Sequence, residues 1–181
     1  FEYPLAESFK IFGPFVNNDL FKISEILLDS PVYLRSMEIH TRGNGSTEIP
    51  AHQDNSYYGL KKSNALTFYI ALNPQSADSG GLTYIPNKQG NEYLHKASES
   101  KAFSLCIDNE KLPKIMNHFG PTYLSGDCTI HHSHSIHYAK EILNSDSDRS
   151  IVVRLTFFGV DSEIRVGHEE WYKKMLTLNR N

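Results

Sequence analysis

Between Val32 and Val160 the chain is a succession of short strand-like pieces, each cut off by turn residues before it can lengthen. Val32–Thr41 is extended and ends at the Gly43-Asn44-Gly45 turn. Asn64–Leu72 (NALTFYIAL) is apolar at almost every position, as a central strand covered on both faces must be, and Asn73-Pro74 stops it. Ser79-Gly80-Gly81 turns the chain into Leu82–Pro86. Further strand-like pieces are Ala102–Ile107, Pro121–Leu124, Cys128–His132, Ser135–Ala139 and Ile151–Val160. Turns every eight to twelve residues or so predict a sandwich or barrel.

Helices are few. Asn17–Asp29 has capping residues at its start, Leu20, Ile23, Ile26 and Leu27 at helical spacing, and Ser30-Pro31 to end it. Glu110–His118 reads as a short helix interrupted by Pro113, and Gly167–Leu178 as an amphipathic terminal helix. The expected fold is mainly β: a double-stranded β-helix (jelly-roll/cupin-like) barrel with a few flanking helices. At 181 residues, with neither a repeat nor a convincing linker, one domain spanning 1–181 is expected.

A formal charge of -3 supplies no basic field for nucleic acid or an anionic membrane. The sequence has no apolar run of the roughly 18 residues a membrane span needs. A soluble, cytoplasmic protein is expected, with organellar targeting left open because the first residue is Phe1 rather than Met. Cys106 and Cys128 lack metal-type spacing and are expected to be buried and reduced.

The chemistry-bearing residues are His52-Gln53-Asp54, then Gly126-Asp127, a tract with His131, His132, His134 and His137, and then Arg149. Two imidazoles and one carboxylate are the set that holds a non-haem Fe(II) on one face and leaves other positions open. A His-x-Asp triplet alone is weak, since a loop histidine beside a turn-capping aspartate looks the same. On an extended segment, though, residues two apart point the same way and reach one ion. Four histidines in seven residues are either a polar turn or a metal-binding tract. An arginine just beyond, at the start of an apolar strand, offers a planar fork for a carboxylate. Together these residues point to an oxygenase using 2-oxoglutarate and O2.

The order AHQDNSYY, ALTFYIAL, SGGLTYIP, GDCTIHHSHSIHYA, NSDSDRSIVVRLTFF resembles the phytanoyl-CoA dioxygenase family of Fe(II)/2-oxoglutarate oxygenases, over about residues 32 to 160. The resemblance implies that His52 and Asp54 are the first two iron ligands. It selects His137, which follows Ile136, as the third, and Arg149 as the partner of the co-substrate's far carboxylate. The implied reaction consumes 2-oxoglutarate and O2, releases succinate and CO2, and hydroxylates a small-molecule substrate. A carboxylate at Asp54 separates it from related halogenases, which carry a small residue there. The sequence departs from the family at Asn87-Lys88-Gln89, where Gly-Ser-His is usual, at Ala139, where a serine is common, and in a loop one residue longer before Arg149.

Other residues are assigned against plainer readings. Gln53 and Asn55 flank the ligands and either touch substrate or solvate the loop; Tyr57 and Tyr58 wall the pocket or pack in the core. Thr67 and Tyr69 share a face of the central strand and could reach the co-substrate. His40 and Arg42 stand where a basic co-substrate contact is often found, although a surface salt bridge explains Arg42 as well. His132 is read as a packed or hydrogen-bonded neighbour of the ligands, and Arg154 as lying on the outer strand face or paired with an acid. Competing with the oxygenase are a cupin-like metal enzyme that makes no use of 2-oxoglutarate, and a non-catalytic binding barrel.

Overall fold

The computed structural model describes residues 13, 16–88, 91–100, 103–114, 117–143 and 149–170. Helix α1 (Asn18–Leu28) begins where the Asn17 side chain accepts hydrogen bonds from the amides of Asp19 and Leu20. It ends at Asp29, which takes a left-handed conformation. The expected helix therefore forms within a residue of its expected limits.

The strands are β1 (Val32–Arg42), β2 (Ile49–His52), β3 (Leu60–Lys62), β4 (Ala65–Ala71), β5 (Thr83–Ile85), β6 (His95–Ala97), β7 (Leu105–Ile107), β8 (Cys128–His132), β9 (Ile136–Ala139), β10 (Ser150–Gly159) and β11 (Glu163–Ile164). A four-stranded antiparallel sheet runs β1-β10-β4-β8, and a three-stranded one β2-β9-β5. The short helix α2 (Asn55–Tyr58) follows β2, and two small ribbons, β3 with β11 and β6 with β7, flank the sheets. This is a mainly β, jelly-roll arrangement in which the two sheets are not hydrogen-bonded into a closed barrel. Among the described residues no helix is long and apolar enough to cross a membrane.

Strict alternation sorts the large sheet into two faces. One face, with Leu66 and Phe68 of β4, Val153, Leu155 and Phe157 of β10 and Met37 of β1, packs under α1. Phe157 is fully buried and meets Phe21 of α1 edge to face at 5.1 Å, burial of a size that contributes roughly 2–3 kcal/mol. The other face looks toward the small sheet, where Tyr69, Ala71 and Val152 pack with Leu82, Ala139 and the partly buried Ile49. A register shift between Leu34 and Ser36 keeps β1 in phase, so Glu38, His40 and Arg42 share that inner face with Ser150, Val152, Arg154 and Thr156 of β10.

Some expectations are corrected. Glu110–His118 forms only a 3-10 turn at Asn109–Lys111 among its described residues, since Pro113 removes an amide donor from the next turn. Pro121–Leu124 contributes only the isolated bridge Gln75–Tyr123, and the described part of Ala102–Ile107, residues 103–107, is strand only at β7. Cys128 is exposed and Cys106 half-buried, both free thiols rather than a buried pair. The expected terminal helix lies outside the described residues from position 171 onward.

Candidate metal centre

Strand β2 ends at His52, which pairs in register with His137 of β9. Asp54 does not continue the strand as the extended reading required. Its backbone is right-handed helical at the entry to α2, and this bend turns its carboxylate back over the two imidazoles. Asp54 Oδ1 stands 3.7 Å from His52 Nε2 and 3.7 Å from His137 Nε2. One ligand atom from each of the three lies within 4.8 Å of the others, and all three residues are buried.

Both histidines are oriented in the same way. Nδ1 of His52 lies 2.8 Å from the Pro50 carbonyl, and Nδ1 of His137 lies 3.1 Å from that of Ser135. A proton on each Nδ1 donates to its carbonyl and leaves Nε2 with a lone pair for a metal. Burial, then the neighbouring His52, pushes His137 well below the usual imidazole range, so it is neutral as a ligand must be. Burial would raise the Asp54 carboxyl, but the Arg154 guanidinium and then the imidazoles outweigh it, holding Asp54 well below the usual carboxylate range. Two imidazoles presenting Nε2 and one carboxylate fit a divalent ion such as Fe(II).

Asp54 is held through its second oxygen. Oδ2 is met by Arg154 Nη2 at 3.0 Å, Tyr58 OH at 3.1 Å, His131 Nε2 at 3.3 Å and Thr67 Oγ1 at 3.4 Å. His131 Nδ1 in turn lies 3.1 Å from Tyr84 OH. Arg154 also reaches Glu38 Oε2 at 3.5 Å, and Glu38 holds His40 Nε2 at 2.7 Å. Burial raises the Glu38 carboxyl, yet Arg154 and His40 bring it down to about 2.

Beside the ligands opens a cavity lined by both histidines, by apolar Ile49, Leu82, Phe103 and Val152, and by Arg42 and Arg154. The two arginines differ. Arg154 is neutralised by two carboxylates, whereas Arg42 bonds only to the carbonyls of Gly80, Thr47 and Lys140. Among the described residues no acid pairs with it, and burial lowers the stability of its charge. Arg42 is the in-register partner of Ser150 on the adjacent strand.

The sequence-derived candidates divide accordingly. His52, Asp54 and His137 come together, and Arg42 and His40 line the cavity. Thr67 and Tyr58 touch the Asp54 carboxylate rather than the cavity. Tyr57 leans its ring on His52 and Phe103 while its hydroxyl binds the backbone of Leu105. Gln53 is fully buried and spent on the Asn91 and His134 carbonyls and the Tyr93 amide. Asn55 binds Glu92.

Arg149 is corrected: it is exposed, precedes β10, lies on neither the cavity nor the inner face, and its carbonyl accepts from Asn73. Nor are His137 and the arginine region on adjacent strands, because β9 and β10 belong to facing sheets. The histidine beside the ligands is His131, not His132, which bonds locally to Ser133 and His134. Arg154 is on the inner face, paired with acids. Glu38 and Phe103 were not singled out; strand alternation carries the signal for Glu38, while nothing in the sequence marks Phe103.

The sequence model of the phytanoyl-CoA dioxygenase family matches residues 16–151, most of the chain, and the chain belongs to that family. The family's cofactor set is Fe(II), 2-oxoglutarate and O2. Among solved structures, EvdO2 from Micromonospora carbonacea var. aurantiaca complexed with 2-oxoglutarate is similar with a TM-score of 0.71 and 17% identity, over 87% of this chain and 66% of that one. The epimerase SnoN in complex with Fe3+, alpha ketoglutarate and nogalamycin RO is similar at 0.62 and 18%, over 81% and 57%. The carbocyclase SnoK from nogalamycin biosynthesis is similar at 0.60 and 18%, over 85% and 62%. The chain thus spans 57% to 66% of these neighbours' lengths, and at such identities the likeness is one of fold. No curated protein sequence matches it.

Proposed function

We propose that this protein is an Fe(II)/2-oxoglutarate-dependent dioxygenase that hydroxylates a small molecule. The observation that carries this reading is three ligand atoms within 4.8 Å of one another, two of them on histidines that line a cavity, into which Arg42 also projects with no acid partner among the described residues. With Fe(II) bound, the chemistry supplied is oxidative decarboxylation of 2-oxoglutarate by O2 to succinate and CO2, coupled to insertion of the second oxygen atom into a substrate C–H bond.

The chain's own residues bind, orient and dry the site. His52 and His137 offer Nε2, and Asp54 offers Oδ1. Arg42, in place of Arg149, receives the far carboxylate of 2-oxoglutarate through its unused N–H groups, with His40 beside it. Tyr69 and Ser150, whose hydroxyls lie 3.3 Å apart, stand on the same wall and can donate to that carboxylate. Ile49, Leu82, Val152 and Phe103 keep water from the reacting atoms. Carboxylate ligation by Asp54 supports hydroxylation over halide transfer. Gln53, Asn55 and Tyr57, fixed by backbone contacts, support the shape of the pocket more than they touch substrate. The neighbours named as an epimerase and a carbocyclase leave other oxidative outcomes on this fold, and product analysis distinguishes them.

The test is anaerobic titration of the purified chain with Fe(II) and 2-oxoglutarate, followed by exposure to O2. A weak visible charge-transfer band, then succinate formation that requires all three components, is expected. Absence of both the band and succinate would overturn the oxygenase in favour of a metal protein that ignores 2-oxoglutarate.

A further inference from the structure

We propose that Arg154 is a positioning residue of this metal centre, clamping Asp54 so that it can ligate through Oδ1 alone. The inference rests on the metal-centre reading above and goes beyond it to a residue outside the ligand set.

Arg154 stands in the middle of β10, and its cross-strand neighbours are Glu38 on β1 and Tyr69 on β4. The guanidinium is a rigid planar fork, and here it is spread between two carboxylates, Asp54 Oδ2 at 3.0 Å and Glu38 Oε2 at 3.5 Å. Glu38 is itself fixed by Ser36 Oγ at 2.9 Å and His40 Nε2 at 2.7 Å. The fork therefore has a firm anchor on the side away from the metal. On the other side, Oδ2 is surrounded by Arg154, Tyr58, His131 and Thr67. Among the described residues no hydrogen bond reaches Oδ1, whose nearest polar neighbours are the two ligand imidazoles at 3.7 Å.

A free carboxylate can chelate a divalent ion through both oxygens and so occupy two positions. Here the second oxygen would have to abandon a guanidinium in a buried site, which is costly. Arg154 thereby keeps open the position that a chelating co-substrate and O2 require. It also balances the buried Asp54 before any metal arrives, so the pocket is assembled in advance. Lysine would preserve the charge but not the fork, because an ammonium is a point charge that cannot hold two acids in one plane.

The experiment is Co(II) titration of wild type, Arg154→Lys, Arg154→Met and Glu38→Gln, reading affinity and the visible d–d spectrum, with far-UV circular dichroism and thermal melting as the fold control. Arg154→Lys is expected to stay folded, to bind Co(II) about 10- to 100-fold more weakly, and to show an altered d–d band. Glu38→Gln, which loosens the anchor without touching Asp54, is expected to fall between Arg154→Lys and wild type. If Arg154→Met does not fold, Arg154→Lys and Glu38→Gln still decide the matter. Wild-type affinity and an unchanged spectrum in a folded Arg154→Lys protein would overturn the positioning role and leave the metal centre standing. Failure of the wild-type chain to bind Co(II) at all would overturn the metal-centre reading, and this inference with it.

Discussion

Replacing Arg42 by Ala separates the structural work of this side chain from its work on the co-substrate. The guanidinium has three backbone carbonyls as partners. Those of Thr47 and Lys140 lie at the exposed edge, where water can replace the lost donors, and that of Gly80 is part-buried. The stability loss is therefore about 1–2 kcal/mol, which for a chain of this size lowers the melting temperature by about 2–8 °C. The loss at the co-substrate is larger in proportion, because a carboxylate in this cavity has no second unpaired cation to turn to among the described residues. A charge-assisted fork of about 2–3 kcal/mol corresponds to a 2-oxoglutarate affinity lower by about 30- to 150-fold. The assay is anaerobic titration of 2-oxoglutarate into Fe(II)-loaded protein, followed by the charge-transfer band, with Arg149→Ala in parallel. Arg149→Ala is expected to change the affinity by no more than about twofold, since a solvent-facing charge outside the cavity contributes little. The reverse ranking, with Arg149→Ala crippled and Arg42→Ala titrating like wild type, refutes the assignment of the anchor to β1.

Three further outcomes follow from the site. Tyr58→Phe removes one of the donors on Asp54 Oδ2 and should weaken Co(II) binding by roughly 3- to 10-fold, about 1 kcal/mol; undiminished affinity would show that the hydroxyl does not help hold the carboxylate. Glu38 is held at about 2 against an ordinary 4.5, so its contribution to stability is complete above pH 4.5 and is lost as the pH falls from there toward 2, to the extent of about 3 kcal/mol. His132, pushed by burial down to about 4 from 6.5, loses its contribution earlier, between those two values; melting curves of the metal-free protein against pH should show both windows, with Asp54 adding to the lower and His137 to the upper, Glu38→Gln should make only the lower one shallower, and a stability unchanged from pH 7 to 3 would contradict both. Co(II) at about a hundred times its dissociation constant should add roughly 2.7 kcal/mol, a rise of about 5–10 °C in melting temperature that His137→Ala abolishes; a rise persisting in that variant would locate the ion elsewhere.

How much of this was legible in the sequence depends on which period is followed. The central strand, the first helix and the turns were readable because NALTFYIAL, the Asn17 cap and the Gly and Pro breakers each act locally. The three ligands were readable as a set through their order along the chain. The placement of Arg149 failed because motif spacing was followed across a loop of unusual length, while the strand beyond it keeps its own count. In VVRLTFF, Val153, Leu155 and Phe157 form the face covered by α1. Stepping back by twos from Val153 arrives at Ile151 and then Arg149, the face turned away from the cavity, whereas Arg154, Val152 and Ser150 line it. Counted this way, alternation puts Arg149 outside and Arg154 inside, the reverse of the sides that motif spacing gave them. The position of Asp54 was not so readable: the extended reading of His-x-Asp gave the right partners through a bend into α2 that the sequence does not announce. Contacts such as His131 with Tyr84, or Phe103 over His52, arise from the facing of two sheets distant in sequence and leave no local trace.

The charges of the cavity imply one more property, which concerns the two ligands together. Two carboxylates behind the cavity wall, Asp54 and Glu38, both face Arg154, while Arg42 lines the cavity with carbonyl partners only, so the four formal charges of the site sum to zero before anything binds. A divalent ion alone leaves two positive charges in a site where every charge is poorly solvated, and a doubly charged dicarboxylate alone leaves two negative ones. Both together restore the balance. Metal and 2-oxoglutarate should consequently bind with positive coupling, of the order of 1–3 kcal/mol or about 5- to 150-fold. Linkage requires the enhancement to be the same from either direction. Calorimetric titration of 2-oxoglutarate with and without Co(II), and of Co(II) with and without 2-oxoglutarate, measures it twice. Direct chelation of the metal adds to the coupling in both, and repeating the cycle with Arg42→Met separates the parts. That variant leaves one carboxylate in excess before loading, so metal binding alone should strengthen while the coupling shrinks. If Arg42→Met binds metal no more tightly than wild type, the balance of charge is not what governs loading of the site.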